Sequence, residues 1–312
     1  MHLKPSENTN LYGMNSFFNE IINLYIKKKM PNKILLSGKK GLGKSTLAYH
    51  IINYILSSDE NNKYDINNLK INEDNRSFKL LQNKSHPNFY LIDLIDEKKN
   101  IEVNQIREMI KFTNKSSFNN APKFILIDNI EDLNKNSVNA LLKIIEEPND
   151  NLFFILINNI EKKILPTLKS RCLTFKINFT FNETVNVTNQ LLNNNLFEII
   201  NHDLINYYTT PGEIINLINF SNEKKIDLKE YTLTPLLTLL IENKDFKKNI
   251  LVRNLLISFI ELFFLKKYSL NIKKNSLLEI YNNFLIRVYN TQKYNLDEES
   301  LFLEFKTKLL NG

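Results

Sequence analysis

A glycine-rich run between an apolar strand pattern and an apolar helix pattern constrains this chain most. Residues 38–46 read GKKGLGKST, which is G-x-x-x-x-G-K-S followed by Thr46. The run follows the short apolar stretch 34–36, and apolar residues then recur at helical spacing over residues 47–55. This is the context of a phosphate-binding loop. The alternative is a glycine-rich turn without a ligand, and such a loop can also persist without hydrolysing a nucleotide.

The fixed positions of this loop each have a role in binding phosphate. Glycines allow backbone N–H groups to surround an anion, and a helix N-terminus adds about half a positive charge. Lys44 is predicted to contact the β- and γ-phosphates, and Ser45 is predicted to offer its hydroxyl to Mg²⁺. The loop residues predicted to hold a nucleotide are Gly38, Gly41, Gly43, Lys44, Ser45 and Thr46.

Composition indicates a globular protein of two or three domains. The 312 residues are 43% hydrophobic and 24% charged. The net charge of +7 suits a protein that works near polyanions, but solvated surface lysines explain it equally well. The one cysteine, Cys172, excludes an internal disulfide and a cysteine-based zinc site, so no zinc is expected.

The sequence predicts a cytoplasmic location. Its first residues contain no apolar signal region. The most apolar later segment, residues 249–265, contains Arg253 and Glu261 and is not expected to span a membrane.

Apolar runs alternate with helical patterns over residues 1–177, and helical patterns alone follow. The runs predict strands at residues 34–36, 88–93, 123–128, 152–157 and 173–177. The alternation predicts a parallel five-stranded sheet flanked by helices in an α/β domain. Residues 57–84 are polar and aperiodic and predict a surface insertion. Two all-helical domains are predicted at residues 178–221 and 222–312.

The acid that ends the third predicted strand is placed to assist the phosphate loop. In P-loop folds such an acid holds Mg²⁺, which assigns that role to Asp128, the alternative being a cap of the strand end. Asn129 follows and cannot accept a proton at neutral pH, and Glu131 would point elsewhere if the strand continued. The site is therefore predicted to bind a nucleotide with little or no intrinsic ATPase activity.

Two more side chains are candidates because of their positions. Asn159, just past the fourth strand, is placed to donate a hydrogen bond to a γ-phosphate or the attacking water, although alone it would be an ordinary loop residue. Arg171 precedes the fifth strand. A lone arginine is normally solvated, but one at the rim of a nucleotide-binding domain can enter a neighbour's phosphate site and neutralise charge there.

Five motifs, in order, make the chain resemble a known family. They are residues 38–49 (GKKGLGKSTLAY), 85–88 (SHPN), 101–107 (IEVNQIR), 139–148 (NALLKIIEEP) and 165–172 (LPTLKSRC). Together they resemble the clamp-loader branch of the AAA+ ATPases, and most closely the delta-prime family of bacterial DNA polymerase III. The resemblance is strong from about residue 30 to residue 176. Beyond that it rests only on the length of the remaining chain and on its helical sequence pattern.

The resemblance implies an AAA+ core (1–177), a helical lid (178–221) and a helical collar (222–312) that joins a hetero-oligomeric ring. Such rings load a sliding clamp onto primed DNA. By resemblance, Arg171 is an arginine finger acting in trans on the ATP of an adjacent gamma/tau subunit, and delta is a further partner. ATP or ADP, with Mg²⁺ held through Ser45 and Asp128, is the ligand implied for the chain's own loop.

Three departures distinguish the chain from the motor subunits of that family. Motors carry Asp-Glu where this chain has Asp128 and Asn129. The place of their nucleotide-sensing lid arginine is taken by Glu213, and the zinc-binding cysteines of many relatives are absent from residues 57–84. The departures favour a delta-prime-like stator over the alternative, a catalytically active gamma/tau-type motor. The 139–148 and SRC motifs disfavour a nucleotide-dependent scaffold without a role on DNA.

Overall fold

The computed structural model describes residues 4–95, 98, 100–146, 151–247, 249–270, 274–294 and 296–310. The chain forms two compact units, Met1–Phe179 and Thr180–Gly312. The boundary falls two residues after the end of the predicted core at residue 177.

The first unit is built on a parallel sheet of five strands. These are β1 (Lys33–Gly38), β2 (Phe89–Ile92), β3 (Lys123–Ile127), β4 (Leu152–Asn159) and β5 (Leu173–Lys176), in the order β2-β3-β4-β1-β5. Each neighbouring pair is parallel, so every strand ends at the same edge of the sheet. Strands such as β3 are buried along their whole length, which explains their continuous apolar sequence. The predicted parallel α/β class is confirmed.

Helices cover both faces of this sheet. They are α1 (Asn15–Ile26), α2 (Lys44–Leu56), α3 (Arg76–Gln82), α4 (Val103–Thr113), α5 (Lys135–Glu146) and α6 (Pro166–Lys169). On one face Phe18 of α1 and Ile51 of α2 share a hydrophobic cluster with Leu36 of β1. On the other face Leu141 of α5 clusters with Ile125 of β3. The sheet is thus enclosed, and its strand ends are left to carry polar groups.

Residues 57–84 contribute several buried side chains to the core, so the prediction that this stretch is only a surface insertion was wrong. The apolar side chains buried in the same cluster as Phe18 are Tyr64, Leu69, Ile71, Phe78 and Leu81. The amide of Asn53 in α2 donates to Asn75 Oδ1 (3.2 Å) at the start of α3. Single apolar residues scattered among asparagines give no periodicity, which is why the pattern did not reveal them.

All regular secondary structure described in the second unit is helical. Its helices are α7 (Phe181–Leu192), α8 (Leu196–Ile199), α9 (Pro211–Lys224), α10 (Leu233–Asn243), α11 (Ile250–Leu270), α12 (Lys274–Tyr294) and α13 (Glu298–Phe305), followed by a π-helical turn, Lys306–Leu310. The predicted all-α class of this part is confirmed.

One hydrophobic core connects the helices of this unit. It contains Ile214 of α9, Leu237 of α10, Leu256 of α11 and Phe302 of α13. Because the core has members before and after residue 221, the division into a lid and a collar stays a prediction. Across the described ranges, every helix is too short or too polar to cross a membrane.

Candidate nucleotide-binding loop and arginine site

The loop between β1 and α2 has a backbone that only glycine adopts without strain. Gly41 and Gly43 have φ angles of 85° and 87°, in the left-handed region. Gly38 is required for a different reason, since a Cβ there would lie 2.4 Å from the carbonyl oxygen of Ile177. The loop thereby brings successive backbone N–H groups to the N-terminus of α2, where a phosphate can bind.

Lys44 is held inside this loop. Its side chain is buried, and Nζ donates hydrogen bonds to the carbonyl oxygens of Gly38 (2.9 Å) and Lys39 (2.5 Å). Burial lowers the pKa of Lys44 to about 8, although the nearby carboxylates, Asp128 first, oppose this shift. The ammonium is therefore poised to exchange two carbonyl oxygens for phosphate oxygens.

Ser45 and Asp128 meet at the strand ends, as the sequence predicted for a Mg²⁺ site. Ser45 Oγ donates to Asp128 Oδ2, and the backbone N–H of Asn129 donates to Asp128 Oδ1 (2.9 Å). Burial raises the pKa of Asp128, and the charge of Asp93 adds to the shift. Mg²⁺ at phosphates takes one or two protein oxygens, so this pair suits it. Thr46 follows, half-buried, in the first turn of α2.

Asn129 and Asn159 are both occupied by hydrogen bonds within the chain. Asn129 has a left-handed backbone (φ 54°), and its side-chain amide donates to Asp93 Oδ1 (2.7 Å) at the end of β2. Asn159 ends β4 opposite Gly38 of β1, next to the loop. Its side-chain amide donates one N–H to Glu161 Oε2 (3.0 Å), which leaves the second N–H for a phosphate oxygen.

Glu131 is a residue of this site that the sequence analysis considered and set aside. The chain does not continue as a strand but turns at Asn129 into a 3₁₀ helix, Ile130–Asp132. The negative charge of the Glu131 carboxylate raises the pKa of Lys44 against the effect of burial. Its Oε2 is buried without a hydrogen-bond partner among the described residues, and burial raises the pKa of this carboxyl. An asparagine directly after the strand, a residue that tolerates left-handed backbone, was the available signal.

Arg171 lies at the opposite edge of the sheet. It stands between α6 and β5, and β5 begins beside β1 because Leu173 is paired with Ile34. The phosphate loop leaves β1 at its other end, six residues or about 20 Å away. Arg171 therefore cannot reach the loop of its own chain.

The guanidinium of Arg171 is partly exposed and ion-paired. Nη2 lies 2.8 Å from Glu146 Oε1, Nη1 donates to the carbonyl of Thr167 (2.8 Å), and 37% of the side chain is exposed. Glu146 ends α5, so two motifs far apart in sequence, NALLKIIE and SRC, meet at this ion pair. Glu147 and Pro148 of the first motif lie outside the described residues.

Glu213, which the sequence resemblance assigned to the position of a lid arginine, has a local role. Its carboxylate accepts from the backbone N–H of Thr210 (2.8 Å), and the two residues form a capping box at the start of α9. A basic residue at this position could not make that cap.

The chain is similar to clamp-loader proteins over its first unit. A family described as DNA polymerase III, delta subunit, matches residues 13–180, which is 168 of the 312 residues. A delta' subunit of DNA polymerase III from Buchnera aphidicola (subsp. Baizongia pistaciae) is 29% identical over 170 residues, 53% of this chain and 49% of that protein. The delta' subunit of Pseudomonas aeruginosa is 31% identical over 138 residues, which are 44% of this chain and 40% of that protein. The matches thus span about half or less of these curated relatives.

Solved structures similar to the chain share less identity with it. A gamma-subunit-related protein of DNA polymerase III from Thermotoga maritima is 18% identical, with 85% of this chain and 76% of that chain covered and a TM-score of 0.38. The RuvB Holliday junction branch migration motor of the same organism is 14% identical, with 77% of this chain and 81% of that chain covered and a TM-score of 0.42. At these values, neither says what this chain binds or does.

Proposed function

Since the chain belongs to the DNA polymerase III delta subunit family, and its curated relatives are delta-prime subunits, we propose that it is a stator of the clamp loader. In this role it supports ATP-dependent loading of the sliding clamp onto primed DNA, as part of the cytoplasmic DNA polymerase holoenzyme. It donates Arg171 in trans to the ATP site of a neighbouring gamma/tau subunit. The resemblance first drawn from five sequence motifs is confirmed by the family match.

The position of Arg171 carries this proposal. The guanidinium is exposed at the sheet edge opposite its own phosphate loop, so any phosphate it contacts belongs to another molecule. An arginine in that position neutralises negative charge on the phosphoryl group being transferred, and its planar set of donors matches phosphate oxygens. Glu146 and the Thr167 carbonyl use only two of its five N–H donors, which leaves three for that phosphate.

The chain's own phosphate loop has the form of a nucleotide site. The residues that would hold ATP or ADP are Gly38, Gly41, Gly43, Lys44, Ser45, Thr46, Asp128 and Asn159, with Mg²⁺ on Ser45 and Asp128. A bound nucleotide would supply phosphate oxygens that complete the Mg²⁺ coordination. Asn129 is engaged with Asp93 and is no base, so little or no turnover is proposed for the isolated chain.

A gamma/tau-type motor is the second candidate, and Glu131 is the observation in its favour. This carboxylate lies near Lys44, where it could act on water as the missing base would. ATP turnover by the isolated chain decides between the two functions, because a motor hydrolyses ATP alone and a stator does not.

The proposed partners are the gamma/tau and delta subunits, with the clamp and primed DNA contacted through the complex. In this assembly the second unit provides a lid (178–221) and a collar (222–312). Any contact with DNA is expected to be sequence-independent and sensitive to salt, because basic side chains would bind the phosphate backbone.

Reconstitution tests this function. The purified chain is mixed with gamma/tau and delta subunits of the same organism, and the native mass and the rate of clamp loading onto primed DNA are measured. The proposal predicts one stable complex that contains this chain, and loading that depends on it. A chain that stays outside the complex, or loading at full rate without it, would contradict the proposal.

A further inference from the structure

An open cavity lies beside Arg171 at the edge of the sheet where β1 and β5 begin. Its volume is about 340 Å³, and the residues lining it are Pro31, Asn32, Lys33, Arg171 and Leu173. The register that pairs Ile34 with Leu173 places Lys33 beside Cys172, the residue that follows Arg171. Two cationic side chains from different strands therefore line the same cavity.

The two cations differ in how their charge is compensated. Arg171 is paired with Glu146 at 2.8 Å. Lys33 is half-buried and has no ion-pair partner among the described residues, and the lining of the cavity contains no acid. Its charge acts on the neighbouring Cys172. Burial raises the pKa of that thiol to about 11, and the charge of Lys33 partly offsets this increase. The uncompensated positive charge of the cavity thus belongs to Lys33.

We propose that Lys33 is a second phosphate-binding cation of the site that Arg171 completes, and that it contacts the nucleoside triphosphate bound by the adjacent subunit. This inference rests on the proposed function, because it requires that another subunit's nucleotide enters this cavity. A triphosphate carries several negative charges, and Glu146 offsets part of the charge that Arg171 offers it. Lys33 supplies the charge that the pair lacks.

The roles of the two cations lead to different kinetic effects. Lys33 attracts the triphosphate as a point charge before and during the reaction, so its loss weakens ATP binding and raises KM. Arg171 acts on charge that develops during transfer, so its loss lowers kcat. A raised KM with an unchanged kcat in a Lys33 variant therefore distinguishes a phosphate contact from a purely structural role.

The test compares complexes that carry Lys33→Gln, Lys33→Arg, Arg171→Ala or Lys79→Gln. Lys79 lies on α3, is exposed and does not line the cavity, so its variant controls for loss of one positive charge. Native mass verifies assembly, ATPase assays give KM and kcat, and a fluorescent ATP analogue gives Kd. Lys33→Gln is expected to raise KM and Kd about tenfold, the effect of one partly solvated charge near phosphate, while Lys33→Arg stays near wild type.

Each outcome is decisive. Unchanged KM and Kd in Lys33→Gln, together with a reduced kcat in Arg171→Ala, would overturn the role of Lys33 and leave the arginine finger in place. An unchanged Arg171→Ala complex would remove the finger, and the role of Lys33 with it. Failure of Lys33→Gln to join the complex would overturn the inference too, because Lys33 would then be needed for assembly.

Discussion

Lys44 should make nucleotide binding by the free chain depend on pH in the alkaline range. Its ammonium is buried, and this burial lowers its pKa to about 8. Only the charged form attracts phosphate, and a bound triphosphate would hold the charged form. The affinity for a nucleotide is therefore highest at pH values below about 8 and decreases as the pH rises through that value.

The magnitude follows from the fraction of Lys44 that is charged. With a pKa of about 8, about nine tenths of the side chain is charged at pH 7 and about one tenth at pH 9. If only the charged form binds, the affinity for ATP falls about tenfold across this range, which is about 1.4 kcal/mol.

The assay is titration of the free chain with a fluorescent ATP analogue and Mg²⁺ between pH 7 and pH 9. Lys44→Arg is the matched control, because a guanidinium stays charged throughout and its affinity should be flat. A flat curve for the wild-type chain, or the same slope in both proteins, would refute the reasoning. Absence of binding at every pH would show that the loop is no nucleotide site.

Three further predictions concern the first unit. His50 is fully buried and its pKa is lowered to about 4, so the unfolded chain binds a proton that the folded chain excludes. This residue should lower the free energy of unfolding by about 1.3 kcal/mol from pH 7.5 to pH 5.5. Urea unfolding should show the pH slope reduced by that amount in His50→Gln, with the contribution of His86, whose pKa burial also lowers to about 4, retained. The exposed control His202→Gln should keep the full slope. Gly38→Ala should lower the free energy of unfolding by about 1–3 kcal/mol, measured by urea denaturation, because the added methyl meets a backbone oxygen at 2.4 Å. Glu131→Gln should tighten ATP binding by the free chain about two- to tenfold, measured by titration, because it removes a negative charge near Lys44; unchanged binding would place that carboxylate away from the phosphates.

The parts of the fold that the sequence revealed are those with local causes. Buried parallel strands need continuous apolar runs, and the phosphate loop needs glycine at positions such as Gly43, where φ is positive. Both leave a signal within a few residues. The five strands and the loop could therefore be placed from the sequence.

The parts that were missed depend on turns and on contacts between distant residues. The left-handed backbone at Asn129 redirects Glu131, whereas the sequence analysis placed Glu131 elsewhere on the condition that the strand continued. The pairing of Arg171 with Glu146 joins positions 25 residues apart, and no periodicity encodes it. Residues 57–84 pack against the core through scattered apolar side chains. Because polar residues surround each of them, the average polarity of the segment predicts an exposed surface.

The central claim is that Arg171 acts on the ATP of the neighbouring subunit, and pre-steady-state hydrolysis by the reconstituted complex tests it most directly. Arg171→Ala should assemble normally but lose the phosphate burst of one site per copy of this chain, because hydrolysis at that site slows by about 10³-fold or more. Arg107→Ala, which removes an exposed arginine of α4, should keep the full burst. A full burst in the Arg171→Ala complex would contradict the account.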